Sequence, residues 1–268
     1  MNTIHNSLSI SGIAKTITDI VGIDAPKHAD SSINILCAKA AAAFGNKNAD
    51  RIFIYNPDAI ALWLFQKYTS MFEGALLNSD IGLPLRAVMP TVTPVCFATM
   101  YTGAEPSVHG IMKYEKPVLK TDTIFDAFIR AGLKPAIVST ANDSISCIFL
   151  DREMDYYIYE TTEECNMKAM ELIEQDNHDL IMLYNPNYDN TMHKYGTEAP
   201  EALRELEKNI ETYSALVKQI QTHWPHHRTM VGFCPDHGCH DHDLYGQLAG
   251  HGLDIPEDMN VIHFFKFL

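Results

Sequence analysis

Short unbroken apolar runs alternate along this chain with stretches whose apolar residues recur every three or four positions. The runs are Arg51–Asn56 (RIFIYN), Leu85–Met89, Pro135–Ser139 (PAIVS), Asp179–Tyr184 (DLIMLY), Thr229–Phe233 (TMVGF) and Asn260–Phe265 (NVIHFF). They suit strands buried on both faces of a parallel sheet. Between them lie helical patterns. In TDTIFDAFIRAGLK, Thr121 or Asp122 is placed to cap a helix, Ile124, Phe125, Phe128 and Ile129 form one stripe, and Gly132 supplies the stop. Glu198–His223 reads as a long amphipathic helix with Leu203, Leu206, Ile210, Tyr213, Leu216, Val217 and Ile220 on its inner face. Strands alternating with helices predict an α/β fold, a mostly parallel central sheet flanked by helices.

The first fifty residues are helical in character, with Asp30 a cap for SSINILCAKAAAAF and Gly45 its stop. Such a segment, about residues 1–48, covers a sheet edge or serves in a homodimer contact. A chain of 268 residues, 46% of them hydrophobic, is long enough for one large core and short for two, so a single domain over 1–268 without a large inserted cap is expected.

Composition narrows the function. A formal charge of −14 argues against nucleic acid as a partner, since a phosphate backbone demands clustered Lys and Arg. It leaves room for a small anionic substrate if bound cations dominate the local field. The six cysteines include no Cys-x-x-Cys pair, which fits a reducing compartment. The start MNTIHNSLSISGIAK lacks a basic end followed by an apolar run, and no eighteen apolar residues run together. A cytoplasmic protein without a membrane partner is expected. Eight of the thirteen histidines fall between His223 and His263, a first hint of metal chemistry.

Open α/β sheets place their sites beyond the carboxyl ends of the strands. Asp58 follows the first run in YNPDAIALWL, and Thr93 follows the second in MPTVTPVCFATMYTG. Asp189 and His193 follow the fourth in YNPNYDNTMHKYG, Asp236 and His237 the fifth in CPDHG, and His251 stands in AGHG. Singly, each has a plain structural explanation. Asp58 and Thr93 would serve as helix caps, Asp-His-Gly as a turn, and Asp189 with His193 as an i, i+4 pair. Their joint occurrence at strand ends favours a two-metal site.

In that order these residues resemble the alkaline phosphatase superfamily, and within it the type I phosphodiesterase and nucleotide pyrophosphatase branch. PTVTPVCFATMYTGAEPSVHGI, residues 90–111, is similar to that branch's nucleophile segment, with Thr102-Gly103 and His109-Gly110-Ile111 as its scaffold. The resemblance implies an alkaline phosphatase-like fold and Thr93 as catalytic nucleophile. It also implies one metal held by Asp58, Asp236, His237 and Thr93, and a second held by Asp189, His193 and His251. Three carboxylates and three imidazoles suit zinc, with manganese the alternative. Two ions can stabilise the attacking and leaving oxygens of an in-line displacement together. The reaction implied is hydrolysis of phosphate-type esters through a covalent phospho-threonine, with free N–H groups of the following helix aimed at the substrate.

The chain departs from the branch at Cys96, where an Asn commonly stands, so transition-state donors must come from elsewhere. Lys113 and Tyr114 are candidate substrate-binding residues. His240 and His242, with Asp241 and Asp243, form a second shell, contact substrate, or are surface loop residues. The sulfatase signature Cys-x-Pro-x-Arg is absent. The competing readings are a catalytically silent metal-binding interaction protein on the same fold, a phosphonate hydrolase, or a phosphoglycerate mutase-like enzyme. The last conflicts with threonine at the nucleophile and with the lack of a large insertion.

Overall fold

Seven strands form one sheet in a computed structural model that describes residues 5–244 and 247–268. In chain order the strands are β1 (Arg51–Pro57), β2 (Ile81–Arg86), β3 (Pro135–Thr140), β4 (Asp155–Tyr159), β5 (Leu180–Asn185), β6 (Thr229–Phe233), β7 (His240–Leu244), β8 (Gln247–Gly250) and β9 (Asn260–Phe267). The sheet order is β2-β9-β6-β1-β5-β3-β4, and β7 with β8 makes a separate antiparallel hairpin. Strands β6, β1, β5, β3 and β4 are mutually parallel, and only the pairings of β9 are antiparallel. The mostly parallel α/β architecture expected from the chain is the one observed.

Both faces of the central strands are covered, which is why they read as continuous apolar runs. Along β1, Ile52 and Ile54 enter one core layer while Phe53 and Tyr55 enter the other, as the two-residue period of a strand dictates. The helices Gly12–Val21, Asn34–Ala43, Thr93–Thr102 and Ile124–Arg130 cover the first face, and Thr162–Gln175 with Pro200–His223 cover the second. Leu206 on the longest helix is fully buried. Its truncation to alanine should lower unfolding free energy by about 2–5 kcal/mol, read from the denaturant midpoint.

Several local expectations change. Ahead of the first helix, Ile10 donates to the Arg86 carbonyl and Arg86 to that of Leu8, so a bridge at Ser9 pairs with the edge strand β2. Asp30 is not a cap, because the second helix starts at Asn34 after Ile33, and its carboxylate instead accepts from Ser11 and from the Ser31 amide. Thr123, rather than Thr121 or Asp122, caps the helix Ile124–Arg130, in a reciprocal box with Asp126. The second strand lies four residues earlier than Leu85–Met89. Ile81–Arg86 alternates in burial and contains Pro84, which fits an edge strand. Among the described residues no helix is long and apolar enough to cross a membrane.

Candidate active site

The carboxyl ends of adjacent strands β6, β1 and β5 point to one region, and the segments leaving them carry the acidic and imidazole groups. Asp58 follows β1, Asp189 and His193 lie one turn apart on the helix Asn187–Tyr195 after β5, and Asp236 and His237 follow β6. His251 comes directly off β8. Two clusters result, Asp58 with Asp236 and His237, and Asp189 with His193 and His251. Within each, one ligand atom per residue lies within 4.8 Å of the others. Thr93 is the first residue of the helix Thr93–Thr102, and its Oγ1 lies 3.4 Å from both Asp58 Oδ2 and His237 Nε2.

The capping explanations for Asp58 and Thr93 do not hold. The helix after Asp58 begins at Leu62 with Ala61 before it, and Val92 precedes the Thr93 helix without a side-chain cap. Both polar groups are buried for another reason. The close backbone approach in Asp-His-Gly has its own cause: a Cβ on Gly238 would overlap the Glu257 carbonyl, so only glycine passes there.

The spacing tests whether these residues fit divalent ions. His237 Nε2 lies 3.3 Å from Asp236 Oδ2 and 3.5 Å from Asp58 Oδ1, and Asp189 Oδ1 lies 3.4 Å from His193 Nε2 and 3.5 Å from that of His251. Ligands about 2.0–2.1 Å from a tetrahedral ion sit about 3.3–3.4 Å from one another. The same separations are too long for strong charge-assisted hydrogen bonds. Asp58 Oδ1, Asp189 Oδ1 and Asp236 Oδ2 are buried with no hydrogen-bond partner among the described residues. Buried carboxylate oxygens in that condition call for a proton or a cation.

The imidazoles are oriented to match. Each directs Nδ1 at a main-chain carbonyl, His193 at Ala249 (2.8 Å), His237 at Gly238 (2.9 Å) and His251 at Thr91 (2.7 Å). A carbonyl only accepts, so Nδ1 carries the proton and Nε2 turns its lone pair inward, as a metal-bound histidine requires. Tyr184 donates its hydroxyl to Asp58 Oδ2 and fixes that carboxylate. Tyr184→Phe should weaken metal affinity by about tenfold to a hundredfold in a chelator competition.

Without cations the cluster is electrostatically frustrated. Burial, then the charge of Asp189, pushes the Asp58 carboxyl up to about 6, and burial with Asp58 beside it raises Asp236 well above the carboxylate range. Burial and the neighbouring His237 push His251 down to about 3. For His193 burial acts downward, but the hydrogen bond and charge of Asp189 overcome it and raise the ring to about 9. Groups so displaced exchange protons for a metal ion.

A cleft of about 500 Å³ opens over both clusters, and Thr93, Asp189, His193 and His251 line it. Tyr114 reaches it, whereas Lys113 is turned out and pairs with Glu115 at 3.4 Å. Cys96 is fully buried, directs Sγ at the Val88 carbonyl 3.6 Å away, and does not line the cleft. The helix also offers fewer amides than its sequence suggested. Pro94 has no N–H, and those of Val95 and Cys96 donate to the Val92 carbonyl. Asp143 and Gln247 line the cleft unannounced by any sequence signal, since chain closure alone brings them there. His242 also lines it, while His240 is held by Asp258 at 2.7 Å. The side chain of Asp243 lies outside the described residues.

This fold, with candidate ligands at the ends of three adjacent strands, defines an alkaline phosphatase-like α/β protein. Residues 63–127 match the family model for type I phosphodiesterase / nucleotide pyrophosphatase. That segment contains residues 90–111, so the match agrees with the resemblance seen there, and the fold is the alkaline phosphatase-like one expected.

Similar solved structures include murine ectonucleotide pyrophosphatase/phosphodiesterase 5, an inactive variant in complex with AMP. It has a TM-score of 0.59 and 16% identity over 73% of this chain and 59% of that one. The human protein of the same name gives 0.59 and 15% over 72% and 58%. Phosphonoacetate hydrolase from Sinorhizobium meliloti 1021, in complex with phosphonoformate, gives 0.56 and 16% over 75% and 59%. This chain thus spans under two thirds of the length of each. No curated protein matches it in sequence.

Proposed function

We propose that this chain hydrolyses phosphate-type esters, diesters foremost, with Thr93 as nucleophile between two divalent ions. Asp58, Asp236, His237 and Thr93 would hold one ion, and Asp189, His193 and His251 the other. The observation that carries this reading is the set of three buried, unpartnered carboxylate oxygens in the two clusters, one of which meets the Thr93 hydroxyl through Asp58 and His237. Bound there, zinc or manganese supplies charge neutralisation and Lewis acidity. Thr93 Oγ1 bonds to phosphorus as the bond to the leaving oxygen breaks, and water then cleaves the phospho-threonine ester and restores the hydroxyl. The solved relative holding AMP supports a phosphate-ester ligand at this kind of site.

Charge favours the diester. Two divalent ions are offset by the three ligand carboxylates and by Asp143, which also lines the cleft, and no Lys or Arg lines it among the described residues. A monoester dianion therefore finds less of its charge compensated there than a diester monoanion does. Metal-loaded protein should turn over bis(p-nitrophenyl) phosphate faster than p-nitrophenyl phosphate, lose activity to a chelator and regain it with zinc or manganese. Turnover that survives chelation, or none with either metal, would contradict the proposal.

One observation favours the silent alternative, namely that Cys96 puts no donor into the cleft. Its signature is metal-dependent melting with no turnover across a broad ester panel.

A further inference from the structure

His242, Gln247 and Gly250 of the hairpin β7–β8 line the cleft, and the hairpin is pinned on both strands. Asp241 accepts from the Thr197 amide (2.8 Å) and hydroxyl (2.7 Å), and His193 holds the Ala249 carbonyl. Between these anchors His242 lines the cleft. Its Nε2 lies against the main chain of Gly250, the residue before His251, so closely that a Cβ there would overlap it.

The polarity of this ring is opposite to that of the three proposed metal ligands. Their Nδ1 atoms donate to carbonyls and leave an Nε2 lone pair. His242 Nδ1 is buried with no partner among the described residues. Burying an N–H without an acceptor is unfavourable, which favours the tautomer that carries its proton on Nε2. His242, which lines the cleft, therefore carries an N–H donor at Nε2 rather than a lone pair. Tyr114, Ser144, Asn190 and Gln247 also bring groups able to donate to the cleft, whereas Cys96 faces the core and the helix amides after Thr93 are spent on Val92.

We infer that His242 Nε2–H binds an oxygen of the substrate's phosphate group, supplying the donor that Cys96 does not, and that Gly250 is glycine to admit the ring. The inference rests on the esterase reading of the same cleft.

The test uses the metal-loaded full chain and the variants His242→Ala, His242→Gln and Gly250→Ala. Diester kcat/KM, calorimetric binding of inorganic phosphate, and zinc content are measured on each. His242→Ala and Gly250→Ala should lower kcat/KM by about tenfold to a hundredfold and weaken phosphate binding, because a donor to developing charge is lost. His242→Gln, whose amide N–H also donates, should recover most of both, and zinc content should stay unchanged throughout. Loss of zinc in His242→Ala would make the residue a ligand and overturn the inference. So would unchanged phosphate binding, or a glutamine variant as poor as alanine. If the unmutated protein turns over no ester, the esterase reading fails by itself, while phosphate binding still decides the role of His242.

Discussion

Thr93→Ala should lower turnover of a bis-aryl phosphate by at least about a thousandfold, with zinc content and melting temperature little changed. Thr93 is 5% exposed at the head of a fully buried helix, so its hydroxyl is held and not free to be replaced by a neighbour. The other threonines nearby are engaged. Thr91 Oγ1 accepts from the Gly252 amide at 2.8 Å, and Thr99 Oγ1 bonds His109 at 3.0 Å. Thr93→Ser keeps a hydroxyl at the same place and should keep most activity. Rate measurements on the two variants side by side separate a lost nucleophile from a disturbed helix, since only the alanine variant should be inactive.

Removing the metals should destabilise the fold by several degrees. A ligand present at a hundred times its dissociation constant stabilises by about 2.7 kcal/mol, which corresponds to about 5–10 °C for a domain of this size. Two sites raise that figure. The metal-free protein should also weaken further in alkali. His193 is raised from its ordinary value to about 9 by Asp189, so it contributes stability below about pH 6.5 that is lost as the pH climbs to about 9. Melting scans across that window, with chelator and with excess zinc, should diverge as pH rises. Parallel curves would mean that His193 and Asp189 do not form an ionic pair in the metal-free fold.

The parts of the fold that could be read from the chain are those whose residue pattern follows from burial on both faces. Thr229–Phe233 is a strand with the predicted bounds because each of its residues is buried. Asp155–Tyr159 was not read as a strand: it lies at the opposite edge, where none of its residues is buried. The hairpin strand His240–Leu244 reads HDHDL, a sequence of low strand propensity held by tertiary contacts at Asp241 and Asp258. At the site, the ligand candidates were visible because strand ends must place them, and their order along the chain carries the pattern. Asp143, Gln247 and the polarity of His242 depend on how separate segments close over the cleft, which no local pattern encodes.

Metal stoichiometry tests the account most directly. Zinc-loaded, desalted protein should carry two zinc ions per chain by elemental analysis. His251→Ala should carry about one, and Asp236→Ala combined with His251→Ala none. Unmutated protein that binds no metal, or single-site variants whose content does not change, would contradict a pair of cation sites around Thr93.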